Sequence, residues 1–150
     1  MKIKLLFLSL VLSISMLTNA KSTIFHPSND SILKSKDHVE VMTFHAKKRC
    51  ITCLKIEELT KEVINESFAK ELKSGKLVFR NIDITQNKEV AKKYKVAWSS
   101  LIISLKKDNK ENFENLTTFA FAYARTNSIK FKSELKAKII LALKELDKKK

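Results

Sequence analysis

Glycine and proline are almost absent from this sequence of 150 residues, which contains only Gly75 and Pro27. These two residue types form most flexible linkers and tight turns. Their scarcity therefore argues against long linkers and against tight hairpins. No internal repeat is visible either, so we expect a single folded domain rather than a string of modules.

Long apolar runs are also scarce. One stands out, at residues 5–17, and its length of about 13 residues is short of the roughly 20 that span a bilayer as a helix. Lysines precede this run, and the small-residue segment Thr18-Asn19-Ala20 follows it. This pattern is typical of a secretory signal peptide. We therefore expect residues 1–20 to be a signal peptide and the protein to be exported, either to the periplasm or out of the cell.

The remaining chain divides into two parts by composition. Residues 21–37 are polar and contain the only proline, which indicates an irregular N-terminal lead-in. Residues 38–150 are long enough for one domain that buries a core without covalent or metal cross-links. We therefore place the folded domain at residues 38–150.

Acidic residues are in the minority, since 16 Asp and Glu face 30 Lys and Arg, for a formal net charge of +14. The lysines are spread along the chain, which indicates a solvated basic surface. Such a surface can favour acidic partners or anionic membrane faces. No motif of interleaved basic and aromatic residues is visible, so we expect no nucleic-acid partner.

Cysteine occurs only twice, in the motif Cys50-Ile51-Thr52-Cys53. A disulfide scaffold usually has more cysteines at longer spacings, and a CxxC disulfide closes too short a loop to stabilise a fold strongly. The spacing can bring both sulfurs onto one turn at the start of a helix. Three uses fit that geometry: a reversible disulfide, a pair of ligands for a soft metal, or an inert local disulfide.

The first half of the domain changes period twice. Residues 39–45 are predicted to form a strand, because apolar and β-branched side chains dominate them, and a basic turn at residues 47–49 follows. Apolar residues at helical spacing predict one long helix over residues 51–74, with Gly75 as its C-terminal cap. A second strand is predicted at residues 77–84.

The second half is predicted to contain a helix, two strands and a last helix. Residues 85–87 can begin a second helix, residues 101–105 form a compact apolar strand, and residues 108–112 are charged and turn-like. Within residues 113–123, Phe119, Phe121 and Tyr123 alternate as in a strand, although the alanines between them weaken the contrast, and we predict another strand there. A last helix opens at residues 127–128, and its buried stripe comprises Leu135, Ile139, Leu143 and Leu146.

The predicted order is strand, helix, strand, helix, strand, strand, helix, and its first strand-helix-strand unit implies a right-handed parallel crossover. With CxxC at the first strand-to-helix junction, this order resembles the thioredoxin fold. Residues 44–46 resemble the strand end that leads into the family's active site, and residues 82–96 its second strand and helix. The resemblance covers about residues 39–146. It implies an α/β, thioredoxin-like three-layer sandwich with a central mixed β-sheet flanked by helices.

A narrower resemblance rests on Phe44-His45, Arg49-Cys50-Ile51-Thr52-Cys53 and Ile56-Glu57-Glu58-Leu59. These residues are similar to an exported thioredoxin-like group named as a nitrophenyl compound nitroreductase subunit. No flavin or nicotinamide motif is visible in the sequence, so we expect no cofactor.

Two positions depart from the thioredoxin pattern. Ser100 stands where the family has its cis-proline, and Thr43 stands where the family keeps a buried acidic proton acceptor. The family's cis-proline shields the sulfurs from metals and shapes the partner groove. Its replacement by serine therefore makes metal capture by the cysteines an alternative to disulfide exchange.

The resemblance assigns roles to individual residues. Cys50 is the expected nucleophile, because a helix N-terminus and the basic turn before it favour a thiolate. Cys53 is the expected resolving thiol, which attacks the mixed disulfide. Trp98 could line the groove beside the cysteines. The residues expected to line the substrate groove or to tune the thiols are Arg49, Thr52, Ser100 and His45.

Three functions follow from these residues. The first is a monomeric, exported thiol-disulfide oxidoreductase that acts on protein thiols or disulfides, with a membrane redox partner of the kind that supplies many exported relatives. The second is a protein that binds a soft, copper-type metal through Cys50, Cys53 and His45. The third is a non-catalytic thioredoxin-like interaction module that keeps a relic disulfide.

Overall fold

The computed structural model describes residues 37–148. The predicted signal peptide and nearly all of the predicted lead-in lie outside the described residues. Within them, no helix is both long enough and apolar enough to cross a membrane. The elements in chain order are β1 (His38–His45), α1 (Ile51–Ser67), α2 (Ala69–Ser74), β2 (Leu77–Asp83), α3 (Lys88–Lys93), β3 (Ser100–Lys107), β4 (Lys110–Asn115), α4 (Thr117–Tyr123) and α5 (Ser128–Asp147).

The strands of the described region form one mixed sheet in the order β2-β1-β3-β4. Strands β1 and β2 are parallel, and α1 and α2 lie in the crossover between them. Strand β3 is antiparallel to β1, and β4 is antiparallel to β3. Strand β1 is buried from His38 to Phe44, because it is an interior strand whose two faces are both covered.

The two faces of the sheet carry separate apolar cores. On one face, Val39 and Val41 of β1 belong to the larger core, to which α1, α4 and α5 contribute. On the other face, Met42 and Phe44 pack with the smaller core beside α3. Alternate β1 side chains thus enter opposite cores, as the period of a strand requires. This arrangement confirms the predicted three-layer α/β sandwich with a central mixed sheet.

The single long helix predicted over residues 51–74 is wrong, because the structure divides it into α1 and α2. Phe68 interrupts the helix with φ −133° and ψ 27°. The side chain of Phe68 is nevertheless buried, and Ile64, Phe68 and Leu72 all belong to or pack against the larger core. The apolar spacing therefore continues through the break. Gly75 ends α2 with φ +74°, the conformation that glycine adopts most readily at a helix C-terminus.

The connection between β3 and β4 contradicts the expectation that tight hairpins are absent. Lys107 and Lys110 pair across the strands, so Asp108 and Asn109 form a two-residue turn. Both turn residues have positive φ, 51° and 59°, and Asp and Asn adopt this conformation more readily than other residues with a side chain. The charged turn predicted at residues 108–112 is correspondingly shorter, because β4 begins at residue 110.

The strand predicted over residues 113–123 is wrong beyond Asn115, because Thr117–Tyr123 form α4. The rings of Phe119 and Tyr123 lie one helical turn apart, with their centroids 5.6 Å from each other. Ala120 and the C-cap residue Ala124 are buried in the larger core. The aromatic residues therefore fit a helical spacing of four as well as a strand spacing of two. The segment is helical because a helix brings these rings together and buries the two alanines.

Candidate redox site

Cys50 and Cys53 are joined by a disulfide, with an S–S distance of 2.11 Å and a Cα–Cα distance of 5.1 Å. Cys50 is the N-cap of α1, and its Sγ accepts a hydrogen bond from the backbone N–H of Cys53 at 3.1 Å. A free N–H group and the positive end of the helix dipole thus both face this sulfur. After reduction, the same groups would stabilise negative charge on Cys50.

The sequence around Cys50 explains why α1 begins there. Cys50 has an extended backbone, with φ −81° and ψ 158°, and its sulfur takes the acceptor position that Ser or Asp usually occupies at a helix start. The first turn of α1 contains no acidic residue. No carboxylate in that turn therefore opposes a thiolate at the N-cap.

An apolar cavity of about 370 Å³ lies beside the disulfide. Cys50 is exposed and Cys53 is partly exposed, so a bound molecule can reach the sulfurs. The exposed fraction is 69% for Trp98 and 39% for Phe121. The lining combines the disulfide, the segment before β3 and α4, and comprises Cys50, Cys53, Trp98, Ser99, Thr117, Thr118 and Phe121.

Four of the six predicted site residues do not line this cavity: Arg49, Thr52, Ser100 and His45. Ser100 is buried at the start of β3, and its hydroxyl donates to the carbonyl of Trp98 at 3.2 Å. The cavity is lined instead by the preceding residue, Ser99, and the peptide bonds of the described region are all trans. Thr52 is half-buried in the first turn of α1.

Arg49 forms an ion pair with Glu57, which lies one turn beyond Cys53 on α1, and Lys61 binds the other carboxylate oxygen of Glu57. Burial raises the pKa of Glu57, but the hydrogen bonds from Lys61 and Arg49 outweigh burial and hold that pKa below its usual value. Glu57 is therefore ionised at neutral pH. Its carboxylate anchors the basic turn before Cys50 to the body of α1.

The soft-metal alternative uses the two sulfurs, with His45 as a further ligand. His45, the predicted third ligand, lies at the end of β1, where its Nδ1 is 3.3 Å from the carbonyl oxygen of Ala46 and its strand partner is Asp83. Among residues 37–148, no three His, Cys, Asp or Glu side chains are grouped so that they could hold a metal ion. Two cysteines alone are short of a closed zinc site, so the described residues do not form a site of that kind.

Comparison with known proteins gives matches among solved structures only. No protein-family model and no curated protein matches the chain. A thioredoxin from Fasciola hepatica is 23% identical with a TM-score of 0.49, over 76% of this chain and 89% of that one. The germline-specific thioredoxin Deadhead from Drosophila melanogaster is 21% identical with a TM-score of 0.46, over 74% and 90%. Human ERp44 in a zinc-bound form is 22% identical with a TM-score of 0.45, over 77% of this chain and 29% of that one.

The cavity wall contains residues that the sequence interpretation did not select, namely Ser99, Thr117, Thr118 and Phe121. The spacing of four between Phe119 and Tyr123 could have indicated a helix in the sequence, but not that this helix lines the cavity. The cysteine pair itself lies where the sequence predicted it, at the first strand-to-helix junction. A parallel β1–α1–β2 crossover, two antiparallel strands after it and the cysteine pair at the start of α1 give this chain a thioredoxin-like fold.

Proposed function

We propose that this protein is an exported thiol-disulfide oxidoreductase, which cycles Cys50 and Cys53 between dithiol and disulfide on protein substrates. One observation carries the proposal: the disulfide is exposed, and the sulfur of Cys50 accepts a backbone N–H at the start of α1. So short a loop contributes little to stability. Exposed disulfides are the labile ones that take part in exchange.

The exchange cycle needs only the two cysteines and a substrate dithiol. A substrate thiolate attacks Sγ of Cys50, so the bond to Cys53 breaks and a mixed disulfide forms. The electron pair of the broken bond stays on Cys53, which then takes a proton from water. The second substrate thiolate attacks the substrate sulfur of the mixed disulfide and releases Cys50 as a thiolate. The substrate has lost two electrons, the protein has gained them, and the reverse sequence reduces a substrate disulfide.

Compartment and partners belong to the same proposal. The apolar run and small-residue site within residues 1–20 support export to the periplasm or the outside. Each turnover leaves the pair in the opposite redox state, so an external partner has to reset it, and we assign this role to a membrane redox protein.

The net charge of +14 opposes self-association and supports a monomer. The residue pattern from 44 to 59 supports a relation to the nitrophenyl compound nitroreductase subunit group.

Reduction of insulin by dithiothreitol tests the proposed function. We expect the purified protein to accelerate insulin precipitation and Cys50→Ser to return the rate to the uncatalysed level, because the attacking sulfur is gone. Cys53→Ser should instead accumulate a mixed disulfide with a substrate thiol, which mass spectrometry detects. Full activity in Cys50→Ser would disprove the proposal. A pair that stays oxidised in millimolar dithiothreitol would identify a non-catalytic module.

A further inference from the structure

The cavity beside the disulfide has a wall that thiol exchange itself does not need. Helix α4 supplies three of its lining residues, Thr117, Thr118 and Phe121, and the disulfide supplies two more. A volume of about 370 Å³ equals roughly a dozen waters at about 30 Å³ each. That space accommodates a large side chain placed directly against the sulfurs.

The apolar surface continues beyond the cavity. Ile51 follows Cys50 and is 72% exposed, and Leu54 follows Cys53 and is 48% exposed. Together with Trp98 and Phe121, these residues form what we name the apolar rim. Exposed apolar side chains grouped around a reactive site indicate an interaction surface. The apolar rim includes residues of α1 and α4 and the segment before β3, which is more surface than a small dithiol covers.

Charge next to the disulfide adds a second preference. Lys47 and Lys48 are exposed just before Cys50, and neither forms an ion pair with the described residues, whereas Arg49 is held by Glu57. Two free lysines beside a reactive sulfur attract acidic groups on a partner. A polypeptide can carry both an apolar side chain and acidic residues within a few positions of its cysteine.

We propose, on the basis of the proposed function, that the cavity lined by α4 is a subsite that binds one side chain of the substrate. The substrate is a polypeptide in which a large apolar residue lies next to the reacting cysteine and acidic residues lie nearby. Phe121 and Trp98 contact that apolar side chain, so Phe121 determines specificity. The lysines before Cys50 contact the acidic residues.

Rates with matched dithiol peptides test the subsite. The oxidised protein is mixed with a peptide that has Phe beside its first cysteine or with the same peptide carrying Gly there, and mass spectrometry of acid-quenched samples measures how fast the peptide is oxidised. We expect the Phe peptide to react about tenfold faster, because burying an apolar side chain discriminates to this extent. Phe121→Ala should reduce the ratio to below about threefold. Thr118→Trp, which fills the cavity from an exposed position, should do the same.

Phe113→Ala is the matched control, because Phe113 is 44% exposed, packs against Tyr94 and does not line the cavity. We expect Phe113→Ala to keep both the tenfold ratio and the rate with the Gly peptide. Acidic residues beside the Phe should raise the rate at low salt, and Lys47→Ala with Lys48→Ala should remove that gain.

Several outcomes would overturn this inference without touching the proposed function. The first two are equal rates for the Phe and Gly peptides and an undiminished rate ratio in both cavity variants. The other two are a free aromatic thiol that reacts as fast as the Phe peptide, and a dimer in sedimentation that Thr118→Trp dissociates. The last two would assign the apolar rim to a small thiol or to a second copy of the chain. Failure of the wild-type disulfide to react even with dithiothreitol would instead disprove the proposed function.

Discussion

At the scale of single residues, the backbone N–H that favours a thiolate on Cys50 contacts this sulfur, whereas the nearby carboxylate that opposes a thiolate is bound by two basic side chains. The N–H of Cys53 points at the sulfur of Cys50, whereas the carboxylate of Glu57 is tied to Arg49 and Lys61. Arg49 immediately precedes Cys50, so the net charge that the sulfur experiences depends on how far Glu57 neutralises Arg49. Glu57 is thus a positioning residue, which acts on the cysteines through Arg49.

Glu57→Gln should make the cysteine pair more oxidising. Removal of the carboxylate frees the positive charge of Arg49, which stabilises the Cys50 thiolate and therefore the reduced form. A partly exposed ion pair contributes about 0.3–1 kcal/mol, so the equilibrium constant with glutathione should change by roughly two- to fivefold. Quantifying the reduced and oxidised forms in glutathione buffers measures this change.

Glu58→Gln is the control for that measurement. Glu58 is the next residue on α1, is exposed and pairs with Lys55 rather than with Arg49. The same loss of one negative charge should leave the equilibrium nearly unchanged, because exposed charges are screened by solvent and salt. Equal shifts in the two variants would show that net charge acts, and not the contact with Arg49.

At the scale of elements, Glu111 joins the β3–β4 hairpin to α3. It accepts hydrogen bonds from the hydroxyls of Tyr94 at 2.5 Å and Ser104 at 2.6 Å, and it forms an ion pair with Lys93. Burial raises the pKa of Glu111, but hydrogen bonds from Lys93, Ser104 and Tyr94 outweigh burial and lower that pKa to about 2. Burial and the hydrogen bond to Glu111 raise the pKa of Tyr94.

Glu111→Gln should destabilise the fold by about 1–3 kcal/mol at neutral pH, because three donors lose a charged acceptor. The folded pKa of about 2 is below the ordinary value of 4.5. The stabilisation is therefore complete above about pH 4.5 and is lost as the pH falls toward 2. Urea unfolding across this pH range should show a decline in the wild type that is smaller in Glu111→Gln.

Glu114→Gln provides the comparison, because Glu114 lies on the same strand and forms an exposed pair with Lys138. Its loss should cost less than about 0.5 kcal/mol and should leave the acid dependence unchanged. A decline in stability between pH 4.5 and 2 that persists in full in Glu111→Gln would contradict the assignment of that decline to Glu111.

The elements also show what sequence reasoning can reach. Strands β1, β2 and β3 and helix α5 were predictable, because their apolar residues repeat with a clear period and end at recognisable caps. The start of strand β4 was predicted too late, because its sequence, KENFEN, is mostly charged or polar and exposed, as is common for an edge strand. Helix α4 was missed because an aromatic spacing of two overlies one of four. The choice depends on packing of Ala120 and Ala124 against distant residues.

The candidate site divides in the same way. The cysteine pair and its helix start were predictable, since CxxC spacing and a strand-to-helix junction are local signals. The α4 wall of the cavity was not predictable, because its position depends on a contact between β3 and the start of α4. The N–H of Leu116 donates to the carbonyl of Leu101 at 2.8 Å, and this contact places Thr117 and Phe121 beside the disulfide. Contacts between segments distant in sequence leave no periodic trace.

At the scale of the whole molecule, the disulfide lies outside both apolar cores. The larger core is centred on β1, α1 and α5 and includes Leu135, which is fully buried, whereas Cys50 is exposed at the N-terminus of α1. The framework that positions the sulfurs therefore does not depend on the bond between them. A redox centre of this kind can change state while the fold stays intact.

Reduction of the Cys50–Cys53 bond should therefore change the free energy of unfolding by no more than about 2 kcal/mol, since so short a loop removes little entropy from the unfolded chain. Leu135→Ala should cost about 2–5 kcal/mol in either redox state, because it leaves a cavity in the larger core. Urea unfolding of oxidised and reduced protein measures both effects. The sign of the change in unfolding free energy on reduction indicates whether the protein oxidises or reduces its substrates. If the reduced form is more stable, the folded disulfide is an oxidant. A gain above about 4 kcal/mol for the oxidised form would exceed the expected entropy of this loop and identify a structural disulfide.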